Sequence, residues 1–443
     1  MNILKSVIIL ALLAGAAGAQ DQPAAQPAVE NESSPARLIA MAAQAQAAED
    51  YPAMERAAAR LVQLRPQIGA YNYALAKAYA LQDKKSEAYN TLLLLSGQGM
   101  SFDLDQDSDF DNLRGFELYG FIQDGFKRNL EPAGRVIREI PVQGDGLLID
   151  GLAWDPKNKR LLAGSITTGS IFSVDADGSR KILVEASEEN GLLGVFDLAV
   201  DPGRRSLWVA SAAVPHYRDI KFQDAGRTGV FEFDLDTGTP KSRYELPVGQ
   251  GRNVLSNLTV ARDGSVYVAN SSRPEVFRVD PEKRHLERVF HAPTFTSFRG
   301  LATSPDGRFL YFSDYEMGLF AVELGSSKAF QVRADPKVNL GGIDALDWYR
   351  DGLIMVQSGN SPNRVFRVAL DGSGTLVTKA QPILVGQPRM DAPNEGIVAD
   401  GEFLLVANSN SALYDPRSGK PLESVTVAPQ ILLALDPEAG WEE

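Results

Sequence analysis

A chain of 443 residues with a formal net charge of −13 and no cysteine rules out several chemistries at once. Disulfides, thiolate metal centres and cysteine nucleophiles are excluded, and an acidic balance without basic clusters argues against nucleic acid and anionic membranes as partners. Only His216, His285 and His291 offer imidazole groups, and they are scattered along the chain.

In chain order, residues 1–19 read as a signal peptide: Lys5 gives the positive start, 7–13 the apolar run, and Ala17-Gly18-Ala19 the small-residue cleavage site. Residues 7–19 are too few to cross a bilayer core of ~30 Å, so no membrane span is expected. The sequence therefore predicts a periplasmic or secreted protein. Residues 20–33, rich in Pro, Ala and Gln, read as a flexible linker.

Residues 34–130 read as a helical domain. Ala, Leu, Tyr and Met recur at helical spacing, with breaks at Asp50-Tyr51, Arg65-Pro66 and Asp83-Lys84. The spacing predicts four helices over 34–98. Asp50 and Asp83 lie 33 residues apart, and the two runs that begin near them resemble a pair of tetratricopeptide repeats, which implies a partner-recruiting surface. The acidic comb Asp103, Asp105, Asp107, Asp109, Asp111 does not make an EF-hand calcium loop, because Ser108 and Arg114 stand where glycine and a bidentate acid are required. Capping of a following helix over 111–127 is the expected role.

From Asp150 onward one phrase recurs six times: a polar residue, a small apolar run, a tight turn and a second apolar run. It starts at Asp150, Asp197, Asn257, Arg299, Asp344 and Glu395, at intervals of 42 to 60 residues. Each interval fits four short strands, which predicts an all-β six-bladed β-propeller over 134–443. A second phrase places Phe172, Phe231, Phe277, Phe320, Phe366 and Leu433 at one position of each unit, as core residues between blades. The last unit lacks an outer strand and the first is preceded by an orphan strand, 135–142, so that segment is expected to close the ring.

Tight turns join the first and second strands of each unit, and the third and fourth. The long connections, notably 212–228 and 409–429, fall on the opposite face, where binding is expected. That reading puts all six phrase-starting residues on one ring around the axis beneath this face. Four carboxylates there need neutralising, either by Arg299 itself or by one divalent cation of calcium or magnesium type held by oxygen ligands. The alternative is that the side chains cap backbone groups around a wet channel.

These phrases, with the closing strand, resemble the SMP-30/gluconolactonase-like six-bladed propellers, whose inner-strand pattern is shared with NHL-type propellers. The resemblance implies a divalent cation held by an acid in the first blade, an Asn in the fourth and an Asp in the fifth. Here those places are Asp150, Arg299 and Asp344, and a guanidinium cannot ligate a cation, so a metal would rest on Asp150, Asp344 and Glu395. Two functions stay open. One is a binding protein that holds a small polar or anionic ligand, or a partner protein, through Arg299, Asn257, Asp197, Arg252 and Arg389. The other is a metal-dependent lactone or ester hydrolase, with Asp344 or Glu395 as catalytic base.

Overall fold

Helix-spaced alanines give way at residue 134 to alternating apolar residues, and the backbone changes from helix to strand at the same point. The computed structural model describes residues 29–441 apart from Gln250 and Pro281. The signal segment and the linker as far as residue 28 lie outside the described residues. Residues 29–33 are structured: Val29–Asn31 form a 3-10 turn, and the Glu32 carboxylate accepts bonds from the Ser33 and Ser34 N–H groups.

Four helices follow: α1 (Pro35–Ala47), α2 (Tyr51–Leu64), α3 (Gly69–Leu81) and α4 (Lys85–Gly97). Ser34 and Asp50 cap the first two through their side chains, each with a proline in the first turn. Ala57, Ala58, Ala76, Ala80 and Ala88 are fully buried, so the small side chains let successive helices approach closely. A fifth helix, α5 (Glu117–Asn129), completes the stack.

The acidic comb behaves differently from its expected role. The N-cap of α5 is Phe116, with no side-chain cap, and the segment before it is a 3-10 turn, Ser108–Leu113, capped by Asp107. Asp107 and Asp109 instead pair with Lys77 at 3.1 and 2.8 Å, Asp107 accepts from the Tyr73 hydroxyl, and Asp109 accepts from Gln46. Phe102 stacks on Tyr73 at 4.3 Å. Polar groups of α1 and α3 are thus met by this chain's own 101–110 segment.

The remainder forms six four-stranded antiparallel sheets among the described residues. The inner strands are Ile149–Asp155, Gly194–Asp201, Leu255–Val260, Phe298–Thr303, Ile343–Tyr349 and Glu395–Ala399, in blades one to six. Val136–Pro141 pairs with Ile431–Leu435 and supplies the outer strand of the sixth blade, as the orphan strand predicts. Phe172, Phe231, Phe277, Phe320, Phe366 and Leu433 are all buried in the cores between sheets. The ring has a second fastener at its other end. The Arg367 guanidinium, 2% exposed, lies between the rings of Tyr349 and Trp441, at 4.9 and 3.9 Å, and meets Glu438 at 2.8 Å.

The helical stack sits on the long-loop face of blades four and five. Arg65, at the end of α2, meets Glu316 at 2.8 Å. Gln67 bonds to Asn339 and Leu340. The buried Arg364 guanidinium donates to the carbonyl of Gln98, the residue that ends α4, at 2.7 Å. Helix C-terminal carbonyls carry partial negative charge, so a cation there is well placed.

Candidate functional site

The hub of the ring separates into two cavities. The upper one opens to the long-loop face, has a volume of about 420 Å³ and is lined by Asp150, Phe196, Arg299, Tyr315, Asp344 and Asn394, among others. The lower one, about 280 Å³, opens to the tight-turn face between Pro156 and Pro202 and is lined by Asp197, Asn257, Asp347 and Glu395. The six phrase-starting residues therefore do not form one ring. Asp150, Arg299 and Asp344 face upward, whereas Asp197, Asn257 and Glu395 belong to the lower end.

Strand register gives the reason. Asp150 is skipped between the pairs Ile149–Ser165 and Gly151–Gly164. Phe196 is skipped between Val195–Ser211 and Asp197–Ala210, and Asp344 between Ile343–Gln357 and Ala345–Val356. Such bulges re-aim one side chain out of the sheet. In blades one, two and five the upper ring takes the bulged residue, and Asp197 and Glu395 stand one step further along, level with Gly151 and Ala345. One step along a strand sends a side chain elsewhere. Glycine at that level serves close approach, since a Cβ on Gly151 would lie 2.6 Å from the Asp197 Cα.

In the upper cavity Arg299 donates to Asp344 Oδ1 at 3.2 Å and to Ser297 Oγ at 3.2 Å, and it lies over the Tyr315 ring at 5.7 Å. Ser358 donates to the other Asp344 oxygen. Burial pushes the Asp344 carboxyl above the usual range, with the guanidinium working against that rise. Asp150 is pushed up to about 6, because desolvation outweighs the bond from the Asn394 amide and the attraction of Arg299. The Asn394 Oδ1 is buried and meets no donor. Two long loops roof this cavity: His216 from the second blade packs 6.0 Å from Tyr414 of the sixth, and both loops contribute to the lining. Desolvation holds His216 below its ordinary pKa.

The remaining predicted ligand residues lie elsewhere. Arg389 is exposed and turns outward to Glu139 on the closing strand at 3.3 Å. Arg252 is exposed and is not part of the cavity wall. Phe196, Asn394, Tyr315, Ser358 and His216 line the upper cavity and escaped the phrase-based reading. Phe196 and Asn394 were within reach, because counting back five residues from the point where each inner strand enters its tight turn (Asp155, Asp201, Ala261, Ser304, Tyr349, Ala399) lands on Asp150, Phe196, Ser256, Arg299, Asp344 and Asn394.

The residues present do not fit the cation that the resemblance implies. Arg299 occupies Asp344, an amide N–H group occupies Asp150, and Glu395 lies in the other cavity. Among the described residues no three His, Asp or Glu side chains converge as a metal-ligating group. Of the six, Asp197 caps backbone, accepting from the Leu258 N–H of the next blade at 2.7 Å; Asp347, outside the six, does the same for the Val398 N–H at 2.6 Å.

No family model matches the chain, and no curated protein matches it. Several solved structures are similar to it in fold. A calcium-binding protein, regucalcin, from Agrobacterium tumefaciens is 16% identical, with a TM-score of 0.46 over 69% of this chain and 95% of its own. A gluconolactonase from Xanthomonas campestris is 16% identical, with a TM-score of 0.44 over 69% of this chain and 100% of its own. A luciferin-regenerating enzyme is 11% identical, with a TM-score of 0.46 over 69% and 95%.

Proposed function

We propose that this chain is an exported binding protein that holds a small polar ligand in its upper cavity. Arg299 carries the reading. Its side chain is 43% exposed at the axis and is anchored on an Asp344 carboxylate that is 12% exposed, while its Nη2 makes no hydrogen bond among the described residues. An anchored guanidinium with a free edge is a ready receptor for a ligand oxygen. The unmet Asn394 acceptor and the Asp150 carboxyl supply places for ligand hydroxyls, and Phe196 and Val214 supply apolar wall. Export rests on the signal-like residues 1–19.

The test is a calorimetric screen of small carboxylates and polyols against the mature chain and its Arg299→Gln variant. A ligand of the upper cavity is expected to lose at least about tenfold in affinity in the variant. Equal affinity in both proteins would remove Arg299 from the site. A hydrolytic reading has one observation of its own, the Asp150 carboxyl, which titrates near 6 and suits acid–base work near neutral pH. It predicts lactone or ester turnover that Asp150→Asn abolishes, and absence of turnover in the parent chain leaves the binding reading alone.

A further inference from the structure

The lower cavity has no part in the reading above. Its lining carries three acids, Asp197, Asp347 and Glu395, and no Lys, Arg or His among the described residues. Asp197 and Glu395 are 7% and 6% exposed. Backbone N–H groups take up both Asp197 oxygens, and the Val398 N–H meets one oxygen of Asp347. Glu395 is different. Its Oε1 accepts only from the N–H of its own neighbour Gly396, at 2.8 Å, and its Oε2 has no hydrogen-bond partner among the described residues. A nine-tenths buried carboxylate with an idle oxygen is costly unless a donor or a cation meets it. The hub's guanidinium does not serve, because Arg299 lies in the upper cavity against Asp344.

We propose that the lower cavity is a binding site for a primary alkylammonium group. Three features select that chemistry over an inorganic cation. The acids do not converge into a metal-ligating set, and their oxygens are partly spent on backbone N–H groups. A primary ammonium presents three N–H donors that can be shared among separated carboxylates, whereas calcium demands six or more oxygens around one point. Between the acids the wall carries Trp154, Leu258, Leu301 and Ile397, with Asn257 and Thr259 as its uncharged polar members, and so offers apolar contact to a short alkyl chain. Entry is from the tight-turn face, between Pro156 and Pro202.

The acids nearest Glu395 are Asp197, Asp150 and Asp347, from three other blades; burial raises all four, and neighbouring carboxylates add to the rise of Glu395, Asp197 and Asp150. An ammonium guest favours their ionised forms, so its affinity is expected to rise with pH. The experiment is titration calorimetry of the full mature chain with n-butylammonium chloride, and separately with calcium chloride. Near pH 8 the expected result is one site with a Kd below about 1 mM. Affinity should fall several-fold on acidification to about pH 5, and Glu395→Gln should weaken binding by at least about tenfold. If Glu395→Gln does not fold, Asp347→Asn, which retains an acceptor for Val398, is read in the same way. Absence of butylammonium binding, calcium binding in its place, pH-independent affinity or an undiminished variant would each overturn the proposal.

Discussion

Asp347 illustrates how a single side chain can hold the ring together and strain it at once. Its carboxylate receives the Val398 N–H of the next blade, yet desolvation inside the channel pushes it up to about 6. The sign of the consequence follows from proton counting. Between about pH 4 and pH 6 the folded chain keeps a proton that the unfolded chain has released, so stability from this group is complete below the unfolded pKa and is lost as pH rises through about 6. Asp347→Asn keeps an acceptor and removes the charge. It is expected to gain on the order of 1 kcal/mol in urea unfolding near pH 7.5 relative to the parent, and nothing near pH 4. A uniform loss at both pH values would mean that the charged hydrogen bond outweighs the desolvation.

Among elements, the closing strand and the C-terminal segment do different work. Val136–Pro141 removes the free edge of the sixth blade through backbone bonds, which most side chains satisfy equally well. The segment that ends at Trp441 works through one buried cation. Arg367 has Glu438 at 2.8 Å, the more distant Asp351 at 3.5 Å and two aromatic faces, so it is neutralised only while that segment is in place. Breaking a buried pair from one side leaves an uncompensated charge. Glu438→Ala is therefore expected to cost about 3 kcal/mol in chemical unfolding, while Arg367→Met in the same background recovers much of it. If the double variant is as unstable as the single one, the pair is not the source of the cost.

At the scale of the whole molecule, the helical stack and the propeller are joined by polar contacts on the long-loop face. Arg364, raised on the fifth blade, loses hydration in reaching the end of α4, and burial lowers its pKa to about 10. Such a contact is specific in geometry and depends on a few residues. The intact protein is expected to unfold in one calorimetric transition, and Arg364→Ala to separate it into two, with the helical stack melting first. A single transition in the variant would assign the coupling to other contacts, such as Gln67 with Asn339. The docking also bears on the upper cavity, because Glu316, held by Arg65, adjoins Tyr315, on which Arg299 rests.

Six recurrences of one phrase, with an orphan strand before the first, determine a closed six-bladed ring, because period and alternation are local properties that the backbone must obey. The helix boundaries of 34–98 follow from caps and prolines in the same way. The site is a different matter. Asp150, Arg299 and Asp344 were legible as axial residues, but the choice of the first polar letter in each phrase brought in Asp197, Asn257 and Glu395 from the next level. A bulge adds one residue without changing composition, and only the pairing of each inner strand with its neighbour shows where it falls. Long-range contacts alone placed His216 and Ser358 in the upper wall, turned Arg389 outward, and laid the acidic comb against α1 and α3. Sequence carried what depends on neighbours along the chain; the fold decided what depends on neighbours in space.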